Sequence, residues 1–305
     1  MRWYVKSLIF KAVSILPGGP RLYNFSQQKI SRSTDATPAR VQQKLTIGFQ
    51  YWDWLKQHGR TDALVDGAVL DYGAGWHPTI PFLFYRLGAR RQALLDVSRL
   101  LNDQLVADTL EISRKVMSDQ KFSEYARPLA GSGGMSSIFK ELGIEYFAPY
   151  QESFKGGSES FNAVFSTQVL QHVPESVMVE VFKEVFSWLK PGGLFLATTH
   201  LTFQFGTPDT NSRQYQHLSL SPRIWQTFFS SRIMCFNRFK GPDYQRALEA
   251  AGFRIVEMLV TPPSIQDSAY FNATRIHECF RHLRPEDLAA RHVFFVAEKP
   301  ISATP

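Results

Sequence analysis

Short apolar runs and longer amphipathic stretches alternate along most of this chain. The runs at 68–72, 92–96, 144–147, 161–166, 194–199, 253–259 and 292–297 are short and apolar, and they predict strands. Between them, 79–88, 98–118, 136–142, 177–189 and 244–251 carry apolar residues at helical spacing. In 98–118 the set Leu100, Leu101, Leu105, Val106, Leu110, Ile112 and Val116 roughly follows a period near 3.6. Seven strands, mostly separated by helices, predict an α/β fold: a Rossmann-like, doubly wound, seven-stranded and mostly parallel sheet with helices on both faces.

The first sixty residues break this rhythm, because they contain no strand-like run. Pro38-Ala39-Arg40 opens a helix that runs through Trp52, Trp54 and Lys56 and closes at His58-Gly59. The chain therefore divides into an N-terminal helical extension, 1–62, and a main domain, 63–305. Within the domain, about 200–242 is a polar and aromatic insertion after the fifth strand. Ligands of such sheets lie at the carboxyl ends of the strands, so the substrate is expected on this insertion.

Residues 3–16 form an apolar stretch with Lys6 and Lys11 inside it. Lys11 interrupts any signal-peptide core, and Pro17-Gly18-Gly19-Pro20 ends the stretch. Two readings stay open: an amphipathic helix packed on the domain, or a helix lying on a membrane surface with Trp3 and the lysines as anchors. No run reaches the roughly eighteen apolar residues of a membrane span.

Composition narrows the classes. Hydrophobic residues make up 44% of the 305, enough for a core, and the net charge is +7. The positive charge is spread rather than gathered into a basic tract, so nucleic acid is not an expected partner. Cys235 and Cys279 stand alone, with no ligand-spaced histidines, so neither a disulfide framework nor a metal site is expected; a reducing, cytoplasmic location fits them. Most of the 25 phenylalanines are expected in the core.

The chemistry concentrates at 68–77, Ala-Val-Leu-Asp-Tyr-Gly-Ala-Gly-Trp-His. A strand ending in Asp71 runs into Gly73 and Gly75, where the absent Cβ lets the backbone turn and approach a ligand. Asp96 closes the second strand about twenty residues on, the spacing at which a carboxylate reaches ribose hydroxyls; its alternative role is the N-cap of a helix starting near Ser98. Trp76-His77-Pro78 are bulky where a dinucleotide pyrophosphate needs room, and no GKS or GKT follows the glycines. A ligand with a ribose and no phosphates, such as S-adenosylmethionine, fits better.

On these residues the chain resembles the class I S-adenosylmethionine-dependent methyltransferases. Val69 to Gly75 is similar to the family's first motif, Leu94-Leu95-Asp96 to its ribose-binding acid, Phe161 to Val173 to its fourth-strand motif, and Leu189 to Leu194 to the turn before its fifth strand. Two positions depart: His77 stands at the usual third glycine, and Asn162 at the usual Asp of the fourth-strand motif. The Gly75-Trp76-His77-Pro78 variant, Asn237 to Tyr244, and the opening helix with Tyr23 and Gln27 after it resemble a bacterial subgroup associated with surface-polysaccharide gene clusters.

The resemblance implies a function and a site. The function is methyl transfer, by O-methylation, to a small-molecule or glycan acceptor, lipid-linked glycans of polysaccharide biosynthesis included, with the protein cytoplasmic or peripheral at the inner membrane face. The cofactor S-adenosyl-L-methionine would be held by Asp71, Gly73, Ala74 and Gly75 at its amino-acid part and by Asp96 at the ribose. Tyr150 or Gln151 would lie near the adenine, and Thr167 and Gln168 near the methionine end.

A hydroxyl nucleophile needs its proton accepted. His200, directly after the fifth strand, is the candidate base; His172, His217, Tyr215 and His77 are weaker ones, and Asn237, Arg238 and Lys240 read either as binders of an anionic group or, as is usual for a charged loop, as exposed. The competing classes are an NAD-linked oxidoreductase on a Rossmann fold, which would need a third glycine in the turn, and a non-catalytic S-adenosylmethionine-binding module.

Overall fold

The computed structural model describes residues 8, 9, 11–14, 34–118, 128, 129, 131–203, 214–231 and 235–301. The stretch 3–16 lies only partly within these, and Tyr23 and Gln27 lie outside them.

As the pattern predicts, the core is one seven-stranded sheet: β1 (Ala68–Tyr72), β2 (Arg91–Leu95), β3 (Ile144–Phe147), β4 (Phe161–Thr167), β5 (Leu189–His200), β6 (Arg254–Thr261) and β7 (His292–Glu298), in the order β3-β2-β1-β4-β5-β7-β6. β1 pairs in parallel with β2, setting Tyr72 opposite Leu95, and with β4, setting Asp71 opposite Phe165; β2 pairs in parallel with β3. Leu70, Leu94, Ala163, Val164 and Phe165 are fully buried. Parallel strands covered on both faces read as continuous apolar runs, which is why the sequence marks them clearly. The strand order reverses between β1 and β4, so their carboxyl ends flank the switch-point crevice of a doubly wound sheet.

The chain forms two compact units. One comprises Thr34–Thr167, Lys183–Ala197 and the residues from Val296 onward. It contains the helix Pro38–Gln57, which Thr37 starts by accepting the Arg40 N–H, with Pro38 in the first turn. Val41, Leu45, Gly48, Trp52 and Leu55 form its buried stripe. At Gly48 the helix meets Leu83 of the helix Thr79–Arg86 so closely that a Cβ would lie 2.6 Å from Leu83 Cδ2.

The helix after β2 departs from the expected start. It spans Asp103–Ser118, because residues 98–102 are held outside it by side-chain acceptors. Asp96 Oδ1 accepts the Ser98 N–H at 3.0 Å, the Tyr146 hydroxyl accepts the Leu100 N–H at 3.1 Å, and Asn102 Oδ1 accepts the Leu105 N–H at 3.0 Å. Asn102 therefore caps this helix and Asp96 does not. β5 also starts early, at Leu189, because the expected Lys-Pro-Gly-Gly turn joins the ladder: Gly192 N–H donates to Lys299 O at 2.8 Å and Lys299 N–H to Gly193 O at 2.9 Å.

The second unit holds Gln168–Phe182 and Thr198–Phe295, together with the N-terminal residues. Within its insertion the expected solvated loop is instead a small core. Phe203, Trp225 and Phe236 form one buried cluster, and Tyr215 and Leu218 join Phe280, Leu283 and Leu288 in another. Tyr215, His217, Asn237, Arg238 and Lys240, expected to be exposed, are buried. Their polar heads find backbone partners: Tyr215 OH donates to Ala289 O at 2.7 Å, Lys240 Nζ to Leu201 O at 2.6 Å, and Asn237 Nδ2 to Leu170 O and Val173 O at 2.7 and 2.8 Å. Bonded heads make that burial tolerable. In the described part of the N-terminal stretch, 11–14 are helical, and Lys11 Nζ donates to Gln226 O and Ser230 O at 3.1 and 2.8 Å.

Candidate functional site

The first unit carries a compact polar constellation at the carboxyl ends of β1 and β2. β1 ends at Asp71-Tyr72 and the chain turns through Gly73 and Gly75, at φ of 89° and 65°. Gly73 and Ala74 N–H both donate to Leu95 O, at 2.8 and 3.0 Å, which fixes the turn against β2. A Cβ on Gly75 would project into open space, 4.0 Å from its nearest neighbour, Gly73 O. The bare backbone of this turn thus forms a cradle that a side chain would fill.

Asp96 follows β2 and is buried. Its Oδ2 accepts the Gly75 N–H at 2.9 Å, and its Oδ1 accepts Ser98. The Val97 N–H also bonds this carboxylate, which keeps room to accept from a ribose hydroxyl. Burial raises the Asp96 carboxyl above its usual range, while the N–H groups of Ser98 and Gly75 oppose the rise.

Asp71 is the less satisfied acid. Its Oδ1 is shut off from solvent and has no hydrogen-bond partner among the described residues. Burial pushes its carboxyl up to about 7, against the opposing pull of the Lys44 ammonium, with Asp96 adding to the rise. Lys44 comes from the helix Pro38–Gln57, and burial lowers its own pKa while Asp71 supports its charge. The sequence reading missed Lys44. The signal was present: it is a lone lysine three residues after Val41 and four before Gly48, on the apolar stripe of its helix. From the same helix, Tyr51 OH donates to Ser166 O at 3.0 Å and lies 3.1 Å from Thr167 Oγ1 at the end of β4.

Among the other predicted residues, Tyr150 opens a single helical turn, Tyr150–Ser153, and its N–H donates to Asp96 O at 2.9 Å. Its ring stands edge-on to Tyr72 at 5.9 Å and its hydroxyl donates to Glu184 at 3.3 Å. Gln151 is exposed beside it. His77 Nε2 lies 2.8 Å from Thr34 O, so this nitrogen carries the proton and the ring is tied to backbone.

The second unit brings together a different set. Gln168 adopts φ of 57°, a left-handed conformation rare for a residue with a side chain, and donates its N–H to Thr198 O at 2.8 Å. Gln171 locks the same corner: its Nε2 donates to Gln168 O at 2.8 Å and its Oε1 accepts Thr199 Oγ1 at 2.6 Å. His200 ends β5, half-buried, with its ring centre 4.4 Å from that of His292. His172 Nδ1 lies 2.9 Å from Cys235 O, a backbone tie that steadies its loop. His217 Nδ1 donates to Gln214 O at 3.1 Å, which leaves Nε2 as a bare lone pair, buried without a partner among the described residues; burial and the nearby Lys240 and Arg238 charges hold this ring neutral.

An acid with an orphaned oxygen beside an ammonium, a bare glycine turn and a second acid with spare lone pairs suit a zwitterionic ligand that carries a ribose. The residues present therefore fit S-adenosylmethionine, whose amino-acid end bears both charges.

The family of methyltransferase domains matches residues 49–258, more than half of the chain. No curated protein matches it. Solved structures are similar at low identity. A S-adenosylmethionine-dependent methyltransferase from Mesorhizobium loti shares 17% identity over 77% of this chain and 92% of its own, with a TM-score of 0.40. One from Methanosarcina mazei shares 14% over 78% and 94%, at 0.43. Geranyl diphosphate C-methyltransferase from Streptomyces coelicolor A3(2), solved with Mg2+, geranyl diphosphate and S-adenosyl-L-homocysteine, shares 12% over 77% and 71%, at 0.42. The family match, over the region that holds the glycine turn, Asp96 and β4, makes the chain a member of the methyltransferase-domain family, a class I enzyme whose cofactor is S-adenosyl-L-methionine.

Proposed function

We propose that this methyltransferase acts on an oxygen of a small-molecule or glycan acceptor, and that its cofactor site is the constellation around Asp71. The observation that carries the site is the orphaned Asp71 oxygen beside Lys44. Asp71 takes the ammonium of the cofactor's amino-acid end and Lys44 its carboxylate, each charge meeting its opposite away from water. Gly73, Ala74 and Gly75 let the backbone close on the same end. Asp96 takes the ribose hydroxyls, Tyr150 and Gln151 border the adenine, and Thr167 and Gln168 face the methionine end. The left-handed Gln168, held by Gln171, is the kind of strain that persists where a loop is fixed for function.

The bound cofactor supplies a methyl group on a sulfonium, already activated for transfer. What the chain adds is alignment of the acceptor, exclusion of water and removal of the acceptor's proton. His200 is the proposed base: it is half-buried at the carboxyl end of β5, the edge at which ligands of such sheets bind. Two features argue against a dinucleotide site: Trp76 and Pro78 follow the glycines, and His77 is tied to Thr34 O.

Leu8 and Ile9 are exposed apolar residues on the N-terminal segment. They support a peripheral contact through residues 3–16 with the inner face of a membrane, and with it a lipid-linked glycan acceptor from polysaccharide biosynthesis and a cytoplasmic location. No helix among the described residues is long and apolar enough to cross a membrane.

The test is incubation of the protein with methyl-labelled S-adenosylmethionine and a panel of hydroxyl-bearing glycans, phenols and polyols. A labelled methyl ether on one of them, lost in Asp96→Ala, is the expected result. Label found only on nitrogen or carbon would overturn the oxygen assignment.

A further inference from the structure

The N-terminal segment and the insertion after β5 are joined within the second unit. Residues 8, 9 and 11–14 are helical. Lys11 Nζ donates to Gln226 O at 3.1 Å and to Ser230 O at 2.8 Å, so this ammonium serves the protein itself. Lys11 and Ser14 also share a polar cleft with Gln226, Ser230 and Ser231.

Both segments carry exposed apolar side chains close to that tie. Leu8 and Ile9 stand three and two residues before Lys11, and Ile224 and Phe228 stand two residues either side of Gln226. Each of the four is between 44% and 47% exposed, and Phe228 is the one exposed aromatic residue among those described. The backbone that presents Ile224 and Phe228 is fixed. Ser221 caps the short helix Pro222–Ile224 by accepting the Ile224 N–H at 3.3 Å, and the π-helical turn Trp225–Phe229 packs Trp225 and Phe229 with Phe203 and Phe236. A fixed turn that packs two aromatic residues and leaves Ile224 and Phe228 in water, tied to a second element with exposed Leu8 and Ile9, marks an interaction surface.

The charge of the same two segments selects what covers that surface. No contiguous run of cations forms, but residues 1–34 contain six Lys and Arg and no acid, and residues 210–237 contain Arg213, Arg223 and Arg232 and no acid. The rest of the chain holds 25 Lys and Arg against 27 acids, so the positive excess comes entirely from these two segments. Arg223 is exposed and adjoins Ile224. A soluble polyanion would meet the cations and leave Phe228 in water, and a second copy would set like charge against like. A bilayer with anionic headgroups answers both features: apolar side chains enter the acyl boundary and cations meet the lipid phosphates.

We propose that the N-terminal segment and the turns at 222–229 form one lipid-facing surface, in which Leu8, Ile9, Ile224 and Phe228 enter the bilayer interface and Arg223 meets anionic headgroups. The proposal rests on the reading of residues 3–16 as a peripheral membrane contact; it adds the insertion to that contact and names the lipid class.

The test is co-sedimentation of the full chain with vesicles of phosphatidylcholine alone and of phosphatidylcholine with about 30% phosphatidylglycerol. The wild-type protein should bind the anionic vesicles at least about tenfold more tightly, and about 0.5 M NaCl should reduce that binding by a similar factor. Ile224→Ser with Phe228→Ser should weaken it at least about tenfold through lost apolar burial. Arg223→Glu, which keeps both apolar residues, should weaken binding to the anionic vesicles alone, by about tenfold. Affinity for S-adenosylmethionine should match the parent in these variants, which shows that they are folded. Binding that survives Ile224→Ser with Phe228→Ser but is abolished by Leu8→Ser with Ile9→Ser would overturn the shared surface and leave the contact of 3–16 standing. Wild-type binding to neither vesicle would overturn both. Equal binding to the two vesicles, or Arg223→Glu binding as tightly as the parent, would overturn the anionic headgroup contact. A concentration-dependent dimer that Ile224→Ser with Phe228→Ser dissociates would put a second copy in place of lipid.

Discussion

Asp71→Asn is the most informative single change, because the account gives Asp71 a function that its own fold disfavours. The carboxyl is raised from 3.8 to about 7, mainly by burial. Each pKa unit corresponds to about 1.4 kcal/mol, so the charged form is held about 4 kcal/mol above its solvated reference, and about half of that remains once partial exposure is allowed for. The folded state binds the extra proton between about pH 4 and 7. The free protein should therefore lose stability as pH rises through that window and level off above it.

Cofactor binding runs the other way. The cofactor's ammonium needs the ionised carboxylate, so affinity should climb up to tenfold per pH unit towards about 7, then flatten until the ammonium itself deprotonates near 8. Asp71→Asn removes a hydrogen bond to a charged group, of about 1.5–3 kcal/mol, and should weaken S-adenosylmethionine by about 10–150-fold at pH 7.5 or thereabouts. It should also abolish both pH dependences below 7. Calorimetric titration and urea unfolding across pH 5 to 8 or so read the two effects. A variant that binds as tightly as the parent, or that keeps the same pH profiles, would refute the assignment of the amino-acid end to Asp71.

Other changes probe separate links. Asp96→Ala should raise the dissociation constant for S-adenosylmethionine by about 10–100-fold, since it removes the ribose contact and the brace on the Gly75 N–H; unchanged binding by calorimetry would displace the ribose from this acid. His200→Gln should slow methyl transfer by about 10²–10⁴-fold with cofactor affinity intact, as expected for a lost general base; a rate within about threefold of the parent would remove His200 from the chemistry. Gly48→Val should destabilise the protein by about 1–3 kcal/mol in urea unfolding, because its branched side chain must displace Leu83; unaltered stability would mean that the two helices can separate there without penalty.

The sheet was legible because its central strands are covered on both faces, which forces unbroken apolar runs such as 68–70 and 163–165. Asp71 stood out because it ends a strand just before the glycine turn, and Asp96 because it closes the next apolar run about twenty residues on. The segment after β2 was not: its apolar residues keep helical spacing from Ser98, but Asp96, Asn102 and the Tyr146 hydroxyl hold 98–102 out of the helix, and only the last comes from a distant strand. Lys44 was missed for a related reason: its place on the apolar stripe was the one local signal, and its partner Asp71 lies across the fold. The insertion misled because polarity was read as exposure. Tyr215, Asn237 and Lys240 are buried with their heads on the carbonyls of Ala289, Leu170 and Leu201, pairings between residues far apart in sequence.

The central claim is that the constellation of Asp71, Lys44 and Asp96 is an S-adenosylmethionine site. Calorimetric titration of the purified chain near pH 7.5 with S-adenosylmethionine, and then with NAD, tests it most directly. The account predicts one molecule of S-adenosylmethionine bound per chain, with a dissociation constant on the order of 1–100 μM, and no heat from NAD. Binding of NAD in place of S-adenosylmethionine, or of neither, would contradict it.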